Sequence, residues 1–351
     1  MTDFMNAWLQ FLTRSGARLN QSGTPEILGF EGHQVNGILP PGYVAPLTDL
    51  GLIAATGEDA ASFLHNQLTN DVEHLSMTEA RLAGYCSPKG RLLATLLMWK
   101  TADAIMLQLP AQIQTAVQKR LQMFVLRAKA KLIDASDSQV VLGVGGQAAS
   151  DALIKWFPTL PSSPLEKIEN EAGTLIRMNE ALGTPRFQWI APLSLAEQAW
   201  PALTTQLTPV GTSVWRLTEI HAGTPQVTQP TQEQFVPQMI NFELIGGVNF
   251  KKGCYPGQEI VARSQYLGKL KRRMLLASLA TTEVKAGMEV FASTDPDQPC
   301  GMVVNAEPNL QEGSDCLVEL KTAAAEEGTI HLGSAQGPAL AFKPLPYALP
   351  T

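Results

Sequence analysis

The chain has 351 residues, 45% of them hydrophobic and 17% charged, an ordinary globular composition with length for two or three domains. Its formal charge of −6 argues against a protein that coats nucleic acid through global charge, because like charges repel the phosphate backbone. No window approaches eighteen uncharged apolar residues, which argues against a membrane span, and MTDFMNAWLQFLTRSG lacks the basic leader and unbroken apolar core of a signal peptide.

A short amphipathic helix is predicted from Phe4 to Leu12, followed by a Gly- and Pro-rich drift to residue 46, so the first domain core is expected after this segment. TDLGLIAATG reads as a strand ending at Gly57. EDAASFLHNQLTNDVEHL then repeats Phe63, Leu64, Leu68 and Val72 at helical spacing, with Glu58 and Asp59 near the positive end of the helix. RLAGYCSPKGRLLATLLMWK reads as two strands around the turn Ser87-Pro88-Lys89-Gly90.

DAIMLQLP is a further strand, AQIQTAVQKRLQMFVLR a helix on Ile113, Val117, Leu121 and Phe124, AKLIDASDSQVVLGVGG strands again, and ASDALIKWF a helix. PTLPSSPLEKIENEAG reads as a surface connection, TLIRMNEALGTPRFQWIAP as two strands, and the stretch from Leu195 to Leu207 as a helix. VWRLTEI reads as a strand. Beyond Arg273 a run of short strands between Gly, Asp, Pro and Asn favours a compact β-barrel.

The four cysteines, Cys86, Cys254, Cys300 and Cys316, lie far apart with no CxxC pair, so free cytosolic thiols and no metal site are expected. The most informative stretch is NFKKGCYPGQEIVARSQYLGKLKRR, with seven Lys/Arg against one Glu over residues 251–273. Its glycines permit tight turns, placing Cys254 and Tyr255 on a loop before a strand or helix that contains Ile260 and Val261. Cys254 reads equally as a cation-activated thiolate or as a small buried side chain. Lys269, Lys271, Arg272 and Arg273 read either as a cationic face for an anionic tail or a partner, or as solvated surface.

Lys252-Gly253-Cys254-Tyr255 with Gly257-Gln258-Glu259 and Arg263 resembles the KGCYxGQE signature of the YgfZ-type family. Phe63-Leu64, Gln67, Thr69 and Asp71-Val72 resemble the family's FLxxQxTxDV segment, and Cys86, Lys89 and Gly90 its CxxKG hairpin. Trp215, Ile220, Gly223, Pro225, Phe235 and Pro237 resemble the segment leading into the signature, and FKPLPYALP the family's ending.

The resemblance places the chain in the T-protein superfamily and implies an α+β, T-protein-like folate-binding fold with two interlocked α+β lobes and a C-terminal β-barrel. Residues 1–46 are then an N-terminal extension, 47–158 the first α+β folate-binding lobe, 159–272 the second lobe carrying the signature, and 273–351 the barrel. The implied cofactor is tetrahydrofolate or a one-carbon-substituted folate. The implied role is accessory or regulatory: support of tRNA modification in the cytoplasm through maintenance of iron–sulfur enzymes, with such an enzyme as partner and direct tRNA contact not favoured. The alternative is a folate-dependent enzyme using Cys254 in one-carbon, sulfur or redox chemistry.

Aminomethyl transfer is not expected, because Gly90-Arg91-Leu92-Leu93-Ala94-Thr95 carries no carboxylate where the T-protein places its folate-orienting aspartate. Trp215 is expected to stack on the folate, Leu50 to give an apolar wall where some relatives have an aromatic ring, and Gln67 and Asp71 to share a helix face as polar contacts. Read from the residues alone, Trp215 is equally a core tryptophan, and Gln67 and Asp71 a helix cap or a solvated face.

Overall fold

The computed structural model describes residues 3–20, 23–35, 37–137, 139–266 and 270–350. Its elements run α1 (Asp3–Arg14), β1 (Ala17–Asn20), β2 (Glu26–Phe30), β3 (Gly42–Pro46), β4 (Leu50–Thr56), α2 (Ala60–His65), β5 (Ala80–Cys86), β6 (Leu92–Lys100) and β7 (Ile105–Pro110). Next come α3 (Ala111–Gln122), β8 (Lys131–Asp134), β9 (Val140–Gly146), α4 (Ala149–Leu153), β10 (Lys167–Asn170), β11 (Gly173–Ala181), β12 (Thr184–Ala191), α5 (Leu193–Gln206), β13 (Thr208–Pro209) and α6 (Thr212–His221). After an irregular stretch follow α7 (Gln258–Tyr266), β14 (Arg272–Leu279), β15 (Glu289–Ala292), β16 (Asp295–Pro308), β17 (Ser314–Lys321), α8 (Thr322–Glu327), β18 (Ile330–Leu332) and β19 (Ala341–Lys343).

Two units interleave along the chain. The first holds residues 1–60, 75–80 and 98–218; the second holds residues 61–74, 81–97 and 219–351. In the first, a mixed sheet has the order β10-β11-β12-β9-β3-β13, and β4 pairs antiparallel with β7 on one side and β8 on the other. Its core gathers Val44, Leu142, Val144, Phe157, Leu175, Phe187 and Trp189 with Trp8, Leu12 and Trp200. Residues 1–46, expected ahead of the first core, therefore build it: α1 lays Trp8 edge-on against Trp200, and β3 joins the sheet.

The second unit contains β5 and most of β6, the irregular stretch after α6, α7, and a six-stranded sheet in the order β18-β15-β16-β17-β14-β19. That sheet, predicted as a barrel, curls into a half-barrel over Ala277, Val290, Val303, Cys316, Val318 and Ile330. The architecture is mixed α+β, as the sequence led us to expect.

Two local expectations are corrected. VWRLTEI lies in helix α6, not in a strand: tertiary packing overrides the β propensity of Val, Trp, Thr and Ile. The helix predicted through Val72 stops at His65, because the residues beyond it bond to remote backbone. Thr69 Oγ1 donates to Gly247 O at 2.6 Å and accepts from Gly84 N at 2.7 Å, and the Asn70 amide donates to Leu82 O and Gly246 O, each at 2.7 Å. Gln67 and Asp71 therefore share no helix face.

The half-barrel is tied down by Asp315, a buried carboxylate that accepts from His221 Nε2 at 2.7 Å, from the Ser278 hydroxyl, from Asn309 at 3.3 Å and from Lys343 at 3.2 Å. Burial alone raises its pKa, but the bonds from His221, Ser278 and Asn309 and the charge of Lys343 outweigh it, holding the carboxyl well below 3.8. A depressed acid adds stability that is full above its unfolded pKa and fades as pH falls through the folded one. Asp315→Asn is therefore expected to cost about 3 kcal/mol at pH 7. In urea melts the gap to the parent should narrow below about pH 4; a gap of the same size at pH 3 would refute this.

Candidate functional site

The signature segment is built on a seat supplied by the two earlier motifs, all of it within the second unit. Asn249 N bonds to Thr69 O at 2.9 Å, continuing the Thr69 and Asn70 bonds to residues 246 and 247. Lys252 then turns inward: its ammonium donates to His65 O and, at 3.0 Å, to Leu68 O, and it lies 4.8 Å from the centre of the Tyr255 ring. Burial pushes the Lys252 pKa down from 10.5 to about 8, opposed by the charges of Asp71, Cys254 and Glu73. One side chain thus fixes the loop and places a cation within electrostatic reach of Cys254.

The CxxKG hairpin forms the other wall. Gly257 has φ +80°, and a Cβ there would stand 2.5 Å from both Gly90 N and Ser87 O; a Cβ on Gly90, at φ +69°, would stand 2.8 Å from Ile260 Cβ. Two glycines therefore let the hairpin and the start of α7 meet backbone to backbone. Tyr255 is buried, and burial, with the nearby Cys86 adding to it, raises its phenol pKa. Burial also pushes the Cys86 thiol up to about 12.

Cys254 itself is exposed, whereas Cys86, Cys300 and Cys316 are buried. The structure thus takes the exposed of the two alternatives open for Cys254. Gln258 opens α7, while Glu259 and Arg263 lie on its exposed surface.

His65 was not singled out by any sequence pattern, because its partners are remote or backbone atoms. Its Nε2 lies 3.7 Å from where a Cβ on Gly253 would stand, and its Nδ1 is 3.1 Å from Asp71 Oδ1. Asp71 Oδ2 is taken by His74 Nδ1 at 2.8 Å. The Asp71 carboxyl lies below its ordinary range: burial raises it, but the bonds from His74 and the charges of His74 and His65 outweigh that.

Trp215 and Leu50 lie in the first unit, Gln67, Asp71 and Cys254 in the second. Leu50 is buried at the start of β4. Trp215 is 2% exposed; the guanidinium of the buried Arg186 sits 4.7 Å over its ring and is held there by Thr218 Oγ1 at 2.8 Å. Gly143 leaves room for the indole, since a Cβ there would come within 2.3 Å of it.

For a folate, the fit is uneven. Gln67 Oε1 is buried without a hydrogen-bond partner among the described residues, the kind of acceptor a pterin N–H satisfies. Asp71 has both oxygens engaged, and one face of Trp215 is covered by Arg186.

Two of the four residues of the basic cluster, Arg272 and Arg273, are taken up by carboxylates of the chain, which corrects their reading as part of a free cationic face. Arg272 forks onto Glu319, accepted at Oε1 and, at 2.9 Å, at Oε2. Arg273 is buried on Glu243 and on Gln238 O, the latter at 3.0 Å. Lys271 is exposed, and Lys269 lies outside the described residues. Among the described residues no group of three or more His, Cys, Asp or Glu side chains is placed to hold a metal, and no helix is long and apolar enough to cross a membrane.

The fold is that of the glycine cleavage T-protein: the aminomethyltransferase T of Bartonella henselae superposes with a TM-score of 0.78 over 96% of both chains, at 17% sequence identity. The tRNA-modifying protein YgfZ of Photorhabdus laumondii is 30% identical over 306 residues, covering 86% of this chain and 92% of that one. Its counterpart from Edwardsiella ictaluri is 32% identical over 223 residues, covering 63% and 66%. This chain belongs to the YgfZ family. No protein-family model matches it.

Proposed function

We propose that the chain is a tetrahydrofolate-binding accessory protein that supports tRNA modification by maintaining iron–sulfur enzymes in the cytoplasm, with the Cys254 loop as its working edge. The observation that carries this reading is the signature itself: Lys252 and Gly257 hold the loop in place from beneath while leaving Cys254 exposed. Kinship with proteins named as tRNA-modifying and the T-protein fold support the tRNA and folate parts. The carboxylate-free stretch from Gly90 to Thr95 weighs against aminomethyl transfer.

A reduced folate, when bound, supplies a one-carbon unit or a reducing pterin. Gln67 would accept from the pterin edge through its unpaired oxygen. The exposed thiol near the Lys252 ammonium favours a second reading, a folate-dependent enzyme using Cys254 as nucleophile. Product formed by the purified chain alone would select it.

Anaerobic calorimetric titration with tetrahydrofolate tests the main reading. The parent is expected to bind in the micromolar range. Gln67→Met keeps the shape of the side chain and is expected to weaken binding about tenfold, roughly one hydrogen bond. Cys254→Ala should still bind. No heat from the parent up to low millimolar folate would remove the folate reading.

A further inference from the structure

We propose that the turn after α3, residues 123–127, is a docking surface for an amphipathic helix of a protein partner, one with an apolar stripe flanked by acidic residues. Met123, Phe124 and Leu126 are 66%, 46% and 87% exposed, while Val125 between them is buried. The turn is stiff: Phe124 N bonds to Leu121 O at 3.0 Å, Val125 N to Gln122 O at 3.3 Å and Ala128 N to Val125 O at 2.8 Å. Leu126 holds φ 42°, a left-handed conformation in which a leucine is strained and a glycine is not. A strained backbone that presents a large apolar side chain to water gains nothing for the fold, and such strain collects at functional positions.

The chain on either side of the turn is cationic. No acidic residue occurs from Lys119 to Lys131, a span with five Lys and Arg. Lys129 is neutralised by Glu58 at 2.8 Å. Lys119, Arg127 and Lys131 are exposed and form no ion pair among the described residues. Exposed apolar and aromatic anchors beside cations are the anatomy of a protein interface, where Met, Phe and Arg are enriched. Met123 and Leu126 lack the π-face on which an RNA base stacks, so the apolar stripe of a helix is the better match, and the cations select acidic flanks.

The surface would receive the enzyme partner of the accessory role and rests on that reading for its purpose. Its test uses no folate, so its failure leaves the titration above untouched.

The probe is a synthetic amphipathic helix with leucines at i, i+3, i+4 and i+7 and glutamates on its flanks, read by fluorescence anisotropy against the full chain. A lysine-flanked twin serves as the charge control. The glutamate peptide is expected to bind at least tenfold tighter than its twin and to weaken as salt rises. Phe124→Ser and Leu126→Gly are each expected to lower that affinity at least tenfold, and Leu126→Gly to raise the melting temperature by relieving the left-handed leucine. Equal binding of the two peptides, or affinities unchanged in both variants, would overturn the surface. Tighter binding of bulk tRNA or of phosphatidylglycerol vesicles, lost in the same variants, would overturn the choice of a protein occupant.

Discussion

Gly257→Ala is expected to be the most damaging single-methyl change in the signature, lowering stability by more than about 3 kcal/mol. Two costs coincide. An alanine held at φ +80° takes on the left-handed penalty of about 1–2 kcal/mol. Its methyl also stands 2.5 Å from Gly90 N and Ser87 O, atoms of a hairpin that cannot move without breaking the Gly90 N to Ser87 O turn bond at 2.8 Å. The hairpin must therefore separate from the start of α7.

Thiol titration reads that separation directly. In the parent, Cys254 is exposed while Cys86, Cys300 and Cys316 are buried, so one thiol should react rapidly with a disulfide reagent such as DTNB. Cys86 closes β5 next to the hairpin turn, and its loosening should give a second reactive thiol in Gly257→Ala. Urea melts supply the stability. A variant that melts with the parent and still shows one rapid thiol would mean that the glycine contact does not fix the loop.

What the sequence made legible, and what it hid, follows from where each residue's partners lie. The strand pair around Ser87-Pro88-Lys89-Gly90 was readable because turn and strands are local, and the short strands of the half-barrel were readable for the same reason. The periodic Phe63, Leu64, Leu68 and Val72 overstated a helix because Thr69 and Asn70 answer to carbonyls 178 and 176 residues away, which no local period reports. Arg272 and Arg273 looked like surface charge because their acids, Glu319 and Glu243, lie 47 and 30 residues off.

The site shows the same division. The signature could be recognised as a motif, but the task of Lys252 could not be read from it, since its acceptors are the backbone carbonyls of His65 and Leu68, and a backbone carbonyl leaves no mark on residue identity. His65 escaped notice because its neighbours, Gly253 and Asp71, meet it only after the chain has folded.

Lys252→Met should separate that anchoring role from the chemistry of the motif. Methionine fills much the same space, so the packing against Tyr255 survives while two buried carbonyl partners lose their donor, a loss of about 2–4 kcal/mol. Part of this is offset, because the parent carries a charge that burial disfavours: the Lys252 pKa is about 8 when folded against 10.5 for the free side chain. The native state therefore binds fewer protons than the unfolded state between those values, and stability rises with pH across that window. The burial penalty is fully present below about pH 8 and is relieved as pH climbs toward 10.5.

Lys252→Met removes this dependence, so its stability between pH 8 and 10 should be flatter than that of the parent, with the gap between the two widening as pH rises. The same loss of anchoring should make Cys254 more mobile and raise the susceptibility of residues 250–257 to limited proteolysis. A variant that keeps the parent's pH slope would show that Lys252 does not carry the titration. One that keeps its protease resistance would show that the loop is held without Lys252.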